Sequence, residues 1–457
     1  MKKQTIGSIA AFAGAAPQKP QDAEQPIHEI STDSRTIHAG DVYLPLIGAR
    51  LDGHQFIQEA FAKGAVATFC DRKHEFPQDR CTLLVDDTME AFQQLAKNYR
   101  AALDVKIIGI TGSNGKTTTK DIVNSVLRER YRTKKTVGNF NNQIGVPRTL
   151  LDLDEDTEIG VVEMGMDHFH EISKLVELAR PDFTIITNVG DSHLVELGTK
   201  ENVAQAKLEI LEQQDENGYF LYNYDDPVLR KAVSQRTIRP KVLTYGTDPG
   251  ADYRISITRS NAAGTSFSVN GTPWHINLIG SYQAYNATVA VIIGQLLGMS
   301  TSEIRRGLHV EDPTAMRNEL VHCDGFDILV DCYKSNPQSL GEALETMQLL
   351  AGYPQKIAIL GDMLELGSDE KRLHYQAGFA IRPDEIDYLL LIGDLAKEME
   401  RGALAHFPRS RVFHFDSKPD LVDRAKSLID KSTLVLVKAS RAMRLEEVVE
   451  SIRKTTV

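Results

Sequence analysis

Lys116 and Thr117 close the run Thr111-Gly-Ser-Asn-Gly-Lys-Thr-Thr118 of a 457-residue chain. Gly112 and Gly115 permit backbone angles that other residues resist. Successive N–H groups of Ser113, Asn114 and their neighbours can then turn inward onto phosphate oxygens. A helix opening at Lys116 adds partial positive charge at the same place. The Lys116 ammonium would reach β- and γ-phosphates, and the Thr117 hydroxyl, with Thr118 beside it, would hold Mg²⁺. The pattern GxxxxGKS/T asks for glycine at position 110, where the chain has Ile110; the nearest glycine is Gly109. Such a loop predicts nucleotide binding and leaves open what is done with the nucleotide. A guanine-reading Asn-Lys-x-Asp would suit a GTPase, but Thr187-Asn-Val-Gly-Asp191 carries Val189 in place of that lysine.

Three more residues could do chemistry beside the loop. Glu163 ends the apolar run Ile159-Gly-Val-Val-Glu163. A carboxylate at the C-terminal end of a strand next to such a loop is placed for magnesium, although an exposed strand-end glutamate reads the same way. His193 follows the strand Phe183–Thr187 and is a second candidate ligand or an ordinary polar histidine. Lys207, in Gln205-Ala-Lys-Leu-Glu209, reads by itself as a solvated helical lysine.

These residues need a parallel sheet to bring them together. Val105–Thr111, Ile159–Glu163 and Phe183–Thr187 read as strands, alternating with helical stretches at 116–130, 168–179 and 201–213. That alternation predicts βαβ units. A β-rich patch follows at Tyr253–Thr258, Thr265–Val269 and Trp274–Leu278, with Asn270-Gly271 as a hairpin signal. The last segment alternates again, with strands at Asp327–Asp331, Lys356–Leu360, Tyr388–Ile392, Val412–Phe415 and Leu434–Val437. It predicts a second doubly wound α/β domain. Boundaries fall near residue 100, where the helical run Met89–Tyr99 ends, and near residue 312, where Pro313 stops a helix.

A net charge of −11, from 52 basic and 63 acidic residues, argues against a general nucleic-acid binder. It does not exclude an anionic small substrate in a locally basic pocket. Cys70, Cys81, Cys323 and Cys332 lack zinc spacing and read as buried free thiols, natural to the cytoplasm. Lys2-Lys3 before the run at 6–16 imitates a signal peptide, but Gly7, Ser8 and Gly14 interrupt the run, so a small packed first helix is expected. No stretch approaches the ~18 apolar residues that would span a bilayer.

On these motifs and several others the chain resembles the Mur ligase family over essentially its whole length. Ser31-Thr-Asp-Ser-Arg35, Gly40-Asp41 and Gly48…Asp52-Gly-His54 are similar to the family's uridine-nucleotide segment. The runs at 138–147, 163–166, 361–367 and 438–443 are similar to signatures of the branch that joins D-alanyl-D-alanine to UDP-N-acetylmuramoyl-tripeptide in peptidoglycan precursor synthesis. The resemblance implies an α/β protein of three domains. These are a small uridine-nucleotide domain at 1–100, a central P-loop parallel-sheet domain with a β-rich extension at 101–312, and a C-terminal Rossmann-like ligase domain at 313–457. It implies ATP held by Gly112, Ser113, Asn114, Gly115, Lys116, Thr117, Thr118, Asn286, Arg317 and Asp331, and substrate contacts at Ser34, Arg35, Asn142 and Tyr333. It implies two Mg²⁺ sites, one on Thr117 and one shared by Glu163, His193 and a CO₂-derived carbamate on Lys207, with Lys116, His193 and Lys207 catalytic. A cytoplasmic monomer without stable membrane insertion is expected.

Two departures stand out. Gly280 is followed by Ser281-Tyr282-Gln283 where the family often has His-Asn, and Lys334 replaces an amide in Tyr333-Lys-Ser-Asn-Pro337. A sister ligase adding the third amino acid would show a DNPR-like run near residue 400, and Ile392–Met399 has none. A folate-polyglutamylating enzyme would lack the uridine segment. A catalytically dead scaffold would have lost one of Lys116, Thr117, Glu163, His193 or Lys207.

Overall fold

The computed structural model describes residues 4–455, so Lys2 and Lys3 lie outside the described residues. The expected first helix is Ile6–Ala13, capped by the Thr5 side chain and burying Ile6, Ile9, Ala10 and Ala13. Three sheets of five, nine and six strands follow along the chain.

The five-stranded sheet runs through Ile30–Ser31, Val42–Tyr43, Ala67–Asp71 and Thr82–Val85 in parallel, with Ala16–Pro17 antiparallel at one edge. Helix Thr88–Ala101 leaves it. Asp87 caps that helix by accepting from the Met89 and Glu90 N–H groups, at 2.7 and 2.9 Å. Ala91, Phe92, Leu95, Ala96 and Tyr99 recur at helical spacing and are buried. The helix is a wall shared with the next sheet: Tyr99 Oη donates to Leu153 O at 2.7 Å and Arg100 Nε to Ala179 O at 3.1 Å.

The nine-stranded sheet places Lys106–Thr111 between Ile159–Glu163 and Phe183–Ile186. Thr133–Lys135 forms one edge, while Tyr219–Asn223, Lys241–Gly246 and Tyr253–Asn261 extend the other, all in parallel. The β-rich patch is the continuation of this same sheet: Gly264–Val269 and Thr272–Ile276 add antiparallel strands to its edge. Asn270 (φ 47°) and Gly271 (φ 80°) form the turn between them, the double positive φ of a type I′ hairpin.

Alternation along Lys106–Thr111 explains the missing glycine. Ile107 faces the core on one side of the sheet, and Ile108 and Ile110 face the other, where Ile122, Val123 and Val126 pack. Position 110 is still strand, fully buried, and truncating it to alanine would cost about 2–5 kcal/mol.

The C-terminal sheet orders Asp327–Asp331, Thr433–Lys438, Gln355–Gly361, Tyr388–Ile392 and Val412–Phe415 in parallel, with Glu319–His322 antiparallel at the edge. Cys70, Cys81 and Cys332 are buried and Cys323 is half-buried; all four are free thiols. Among the described residues no helix is long and apolar enough to cross a membrane.

Candidate active site

The central and C-terminal sheets meet over a cavity of about 940 Å³ lined by Ser113–Thr118, Glu163, His193, Lys207, Asn286, Arg317, Asp331 and Tyr333, among others. Thirteen of the positions read from the sequence therefore share one space, although they span more than 200 residues of chain.

The loop is held from below by the end of the neighbouring strand. Ser113 N donates to Asn188 O (3.0 Å), Asn114 N to Asn188 Oδ1 (2.9 Å), and Gly190 N to Ser113 Oγ (2.8 Å). Gly112 (φ 151°) has no room for a side chain: a Cβ there would stand 1.9 Å from Thr187 Oγ1. Gly115 (φ 78°) starts helix Lys116–Leu127, and a Cβ on it would meet Asn286 Oδ1 at 2.8 Å. Asn286 thus backs directly onto the loop, accepting from Thr119 Oγ1 at 3.1 Å. Lys116 folds over the loop, its ammonium 2.6 Å from Gly112 O. Burial and then the Lys334 charge push the Lys116 ammonium down to about 8.

Glu163 is 1% exposed. Its Oε1 accepts from Asn141 Nδ2 at 2.7 Å, while Oε2 is buried with no hydrogen-bond partner. The fully buried Lys120 stands 4.0 Å from that oxygen and donates to Gly138 O at 3.0 Å, tying down the loop that carries Asn141. An orphaned buried carboxylate oxygen costs free energy unless a cation completes it. With the Thr117 hydroxyl on the same cavity wall, this donor set of hard oxygens fits Mg²⁺.

His193 follows the strand Phe183–Ile186, as the sequence suggested. It lies beyond the strand, at φ 58°, opening the short helix Leu194–Leu197. Its Nδ1 is 2.9 Å from Asp167 Oδ1 and its Nε2 accepts from Lys334 Nζ at 2.9 Å. Burial holds its pKa below the usual imidazole range, against the pull of Asp167, so the ring is neutral, the state a metal ligand needs.

Lys207 overturns the solvated reading. It is 2% exposed, in the last turn of helix Lys200–Leu208, whose Val203, Ala204, Ala206 and Leu208 are also buried. Among the described residues its ammonium makes no hydrogen bond or ion pair. Burial, followed by the charges of Lys116 and Lys334, pushes it well below the ordinary lysine value.

The C-terminal domain supplies the other wall. Arg317 lies over the Tyr333 ring, 4.4 Å from its centroid. Asp331 is paired with the buried Lys438 at 2.5 Å. Asn336 joins the domains: its Nδ2 donates to Asn114 Oδ1 (2.8 Å) and Ser192 Oγ (3.1 Å). Tyr282 and Gln283, from the departing run after Gly280, also line the cavity, and Gln283 Oε1 accepts from Asn286 Nδ2 at 3.0 Å.

Three expected contacts lie elsewhere. Ser34 and Arg35 are in the five-stranded domain, outside the cavity lining; Arg35 is exposed and forked onto Asp33. Asn142 is turned away, its Oδ1 accepting from Ile144 N and Gly145 N to cap a helix. Its neighbour Asn141 faces the cavity instead. Sequence reasoning missed Asn141, Asp167, Asn336 and Lys438. Asn141 and Lys438 lie inside runs already visible at 138–147 and 438–443, and Asp167 adjoins the run at 163–166. Nothing in the sequence marks the pairing of Asn336 with Asn114.

A P-loop α/β domain whose phosphate end is closed by a second α/β domain defines a nucleotide-driven, multidomain class of protein. Three family models match in series: the Mur ligase family catalytic domain at 26–100, the Mur ligase middle domain at 110–294, and the Mur ligase glutamate ligase domain at 316–441. The UDP-N-acetylmuramoyl-tripeptide–D-alanyl-D-alanine ligase of Bacillus subtilis is 41% identical over 456 residues, 99% of each chain. That of Escherichia coli is 29% identical over 95% of each. The chain belongs to the Mur ligase family. Among solved structures, MurF from Acinetobacter baumannii superposes with a TM-score of 0.88 at 26% identity, over 99% of each chain. MurF ligase from Thermotoga maritima in complex with ADP gives 0.81 at 27% identity, over 94% of this chain and 97% of that one.

Proposed function

We propose that this protein is an ATP-dependent ligase that joins D-alanyl-D-alanine to UDP-N-acetylmuramoyl-tripeptide in peptidoglycan precursor synthesis. The observation that carries the reading is the cavity itself, where Lys116 of the phosphate loop, the half-satisfied Glu163 and the uncompensated Lys207 converge. The whole-length relatives supply the substrate pair. Residues 1–100 are assigned to the uridine nucleotide, 101–312 to ATP and 313–457 to closure and the incoming amine.

A carboxylate is a poor acyl donor because its leaving group would be oxide. Its oxygen therefore attacks the γ-phosphorus of ATP, the bond to the β–γ bridging oxygen breaks, and ADP leaves an acyl phosphate. The loop N–H groups and Lys116 meet the charge spreading over the transferring group. The free amine of D-alanyl-D-alanine then attacks the acyl carbon, phosphate leaves, and the nitrogen loses a proton. The segment from Asp331 to Asn336, pinned on the loop through Asn114, keeps water from the intermediate. Thr117 would hold one Mg²⁺, and Glu163, His193 and a modified Lys207 would hold another; the ions would supply charge neutralisation for the phosphates. Burial without a counter-ion favours the neutral Lys207 amine, whose lone pair adds to CO₂ with loss of one proton. The resulting carbamate presents anionic oxygens in a cavity of cations.

Phosphate release from ATP, measured with the UDP-linked tripeptide and a panel of amino acids and dipeptides, tests the reading. Release should depend on D-alanyl-D-alanine. Dependence on a single amino acid would instead assign the chain to the sister activity.

A further inference from the structure

Lys334 is the departure in Tyr333-Lys-Ser-Asn-Pro337 that the chemistry above leaves unused. It belongs to the C-terminal domain, three residues beyond the end of strand Asp327–Asp331, yet it lines the ligase cavity. The backbone on both sides of it is fixed. Lys438 Nζ donates to Lys334 O at 3.0 Å while pairing with Asp331. Asn336, two residues on, is bonded to Asn114 of the phosphate loop. The Lys334 ammonium ends 2.9 Å from His193 Nε2 and 3.6 Å from Glu365 Oε2. Neither is a strong partner. The imidazole is neutral, and the Glu365 side chain is 52% exposed and shares that oxygen with His193 Nδ1 at 3.4 Å. Positive charge is crowded here. After burial itself, the Lys334 charge is the largest influence on the Lys116 ammonium, and it comes next to Lys116 in its effect on Lys207. Among the described residues Lys116 makes no ion pair; its ammonium rests on the Gly112 and Ser113 carbonyls. Cations held together against their mutual repulsion form a site for a multiply charged anion.

We propose that Lys334 is a further catalytic residue: its ammonium, carried by the C-terminal domain, contacts the phosphoryl group in transfer from ATP to the substrate carboxylate. Contact with the γ-phosphate needs only that the loop holds ATP, whereas contact with the acyl phosphate rests on the ligase reading. Lys116 approaches from the loop and Lys334 from the other wall of the cavity. The non-bridging oxygens thereby gain a donor that the loop cannot supply. The ammonium forms no covalent bond and gives up no proton. It offsets the repulsion between the phosphoryl oxygens and the incoming carboxylate, both of which are anionic. His193 Nε2 offers one lone pair, so it either accepts from Lys334 or ligates an ion. An ion on His193 therefore releases the ammonium, and a flexible four-carbon stem lets it swing to a nearby anion while its backbone stays pinned. Because Asn336 bridges to Asn114 only when the domains are docked, the cation arrives with closure.

Calorimetry on the full-length chain in Mg²⁺ buffer compares ADP with β,γ-methylene-ATP, which adds the γ-phosphoryl group and cannot transfer it. Lys334→Met and Lys334→Gln should hold ADP to within about threefold of the unaltered chain and bind the analogue about 10–100-fold more weakly. Retained ADP binding shows that both variants are folded. In both, kcat should fall by about 10²–10³-fold, with KM for D-alanyl-D-alanine kept. Equal weakening of the two nucleotides, or full affinity for the analogue in either variant, overturns the inference. If the unaltered chain shows no turnover that depends on D-alanyl-D-alanine, the ligase reading fails, and the difference between ADP and the analogue still decides whether Lys334 meets the γ-phosphate.

Discussion

Truncating Asn336 should damage turnover more than stability, and the contacts say by how much. The side chain has two separate jobs. Its Oδ1 accepts from Ser339 N at 2.9 Å, capping helix Pro337–Leu349, and at the longer distance of 3.4 Å from Asn114 Nδ2. Its Nδ2 bridges to Asn114 and Ser192 of the central domain. The cap contributes about 1 kcal/mol whether or not the domains are docked. The two bridging bonds contribute about 1 kcal/mol each, and only in the docked arrangement. Asn336→Ser keeps a cap of equal rank but is too short to reach Asn114. It should therefore lose about 2 kcal/mol of docking, roughly 30-fold in kcat/KM for ATP, with an unfolding temperature near that of the unaltered protein. Asn336→Ala should show the same kinetic loss and unfold lower by the ~1 kcal/mol cap. Combining Asn336→Ser with Asn114→Ala closes a double-mutant cycle whose coupling should be about 1 kcal/mol. If Asn336→Ser retains kcat/KM within threefold, or the coupling vanishes, the bridge does not hold the domains over the loop.

Lys207→Met should lower turnover by about 10²–10³-fold while raising the unfolding temperature, because it removes a buried amine that makes no hydrogen bond; turnover within tenfold would refute the role given to Lys207. Gly112→Ala should destabilise by about 2–5 kcal/mol, from strain at positive φ and a displaced Thr187 hydroxyl, and should abolish ADP binding by calorimetry. Nucleotide affinity should weaken above pH 8, since Lys116 titrates at about 8 in the free protein. Binding near that pH should take up a proton, visible as a buffer-dependent enthalpy. Stability moves the other way. From about 8 to the ordinary lysine value of 10.5 the unfolded chain holds the extra proton, so the contribution of Lys116 to stability rises with pH.

Much of this was legible in the chain because short-range rules set it. Ile159–Glu163, Asp327–Asp331, Tyr388–Ile392 and Val412–Phe415 are strands at the residues their apolar runs predict. The first three are buried on both faces, which leaves little freedom in where a run ends. The phosphate loop was readable for a similar reason, since Gly112 and Gly115 answer a local backbone demand. Asn270-Gly271 specified its hairpin, but not that the hairpin extends the sheet carrying the loop. Which edge a strand joins depends on contacts the turn does not make.

The chemistry of the side chains was decided elsewhere. Lys207 reads as a solvated lysine until tertiary packing encloses its helix on several sides. Asn141 and Asn142 are indistinguishable in sequence, and only the turn into helix Gly145–Leu151 sends one to Glu163 and the other to a cap. Asp331 and Lys438 lie 107 positions apart and meet because adjacent parallel strands end side by side. Backbone conformation is a near-neighbour property, and the sequence by itself determined it along with the loop, the strands and the family. Burial and electrostatic partnership sum over everything nearby in space. Only the tertiary structure could therefore turn Glu163 into a carboxylate with one oxygen unsatisfied and Lys207 into a buried amine without a partner.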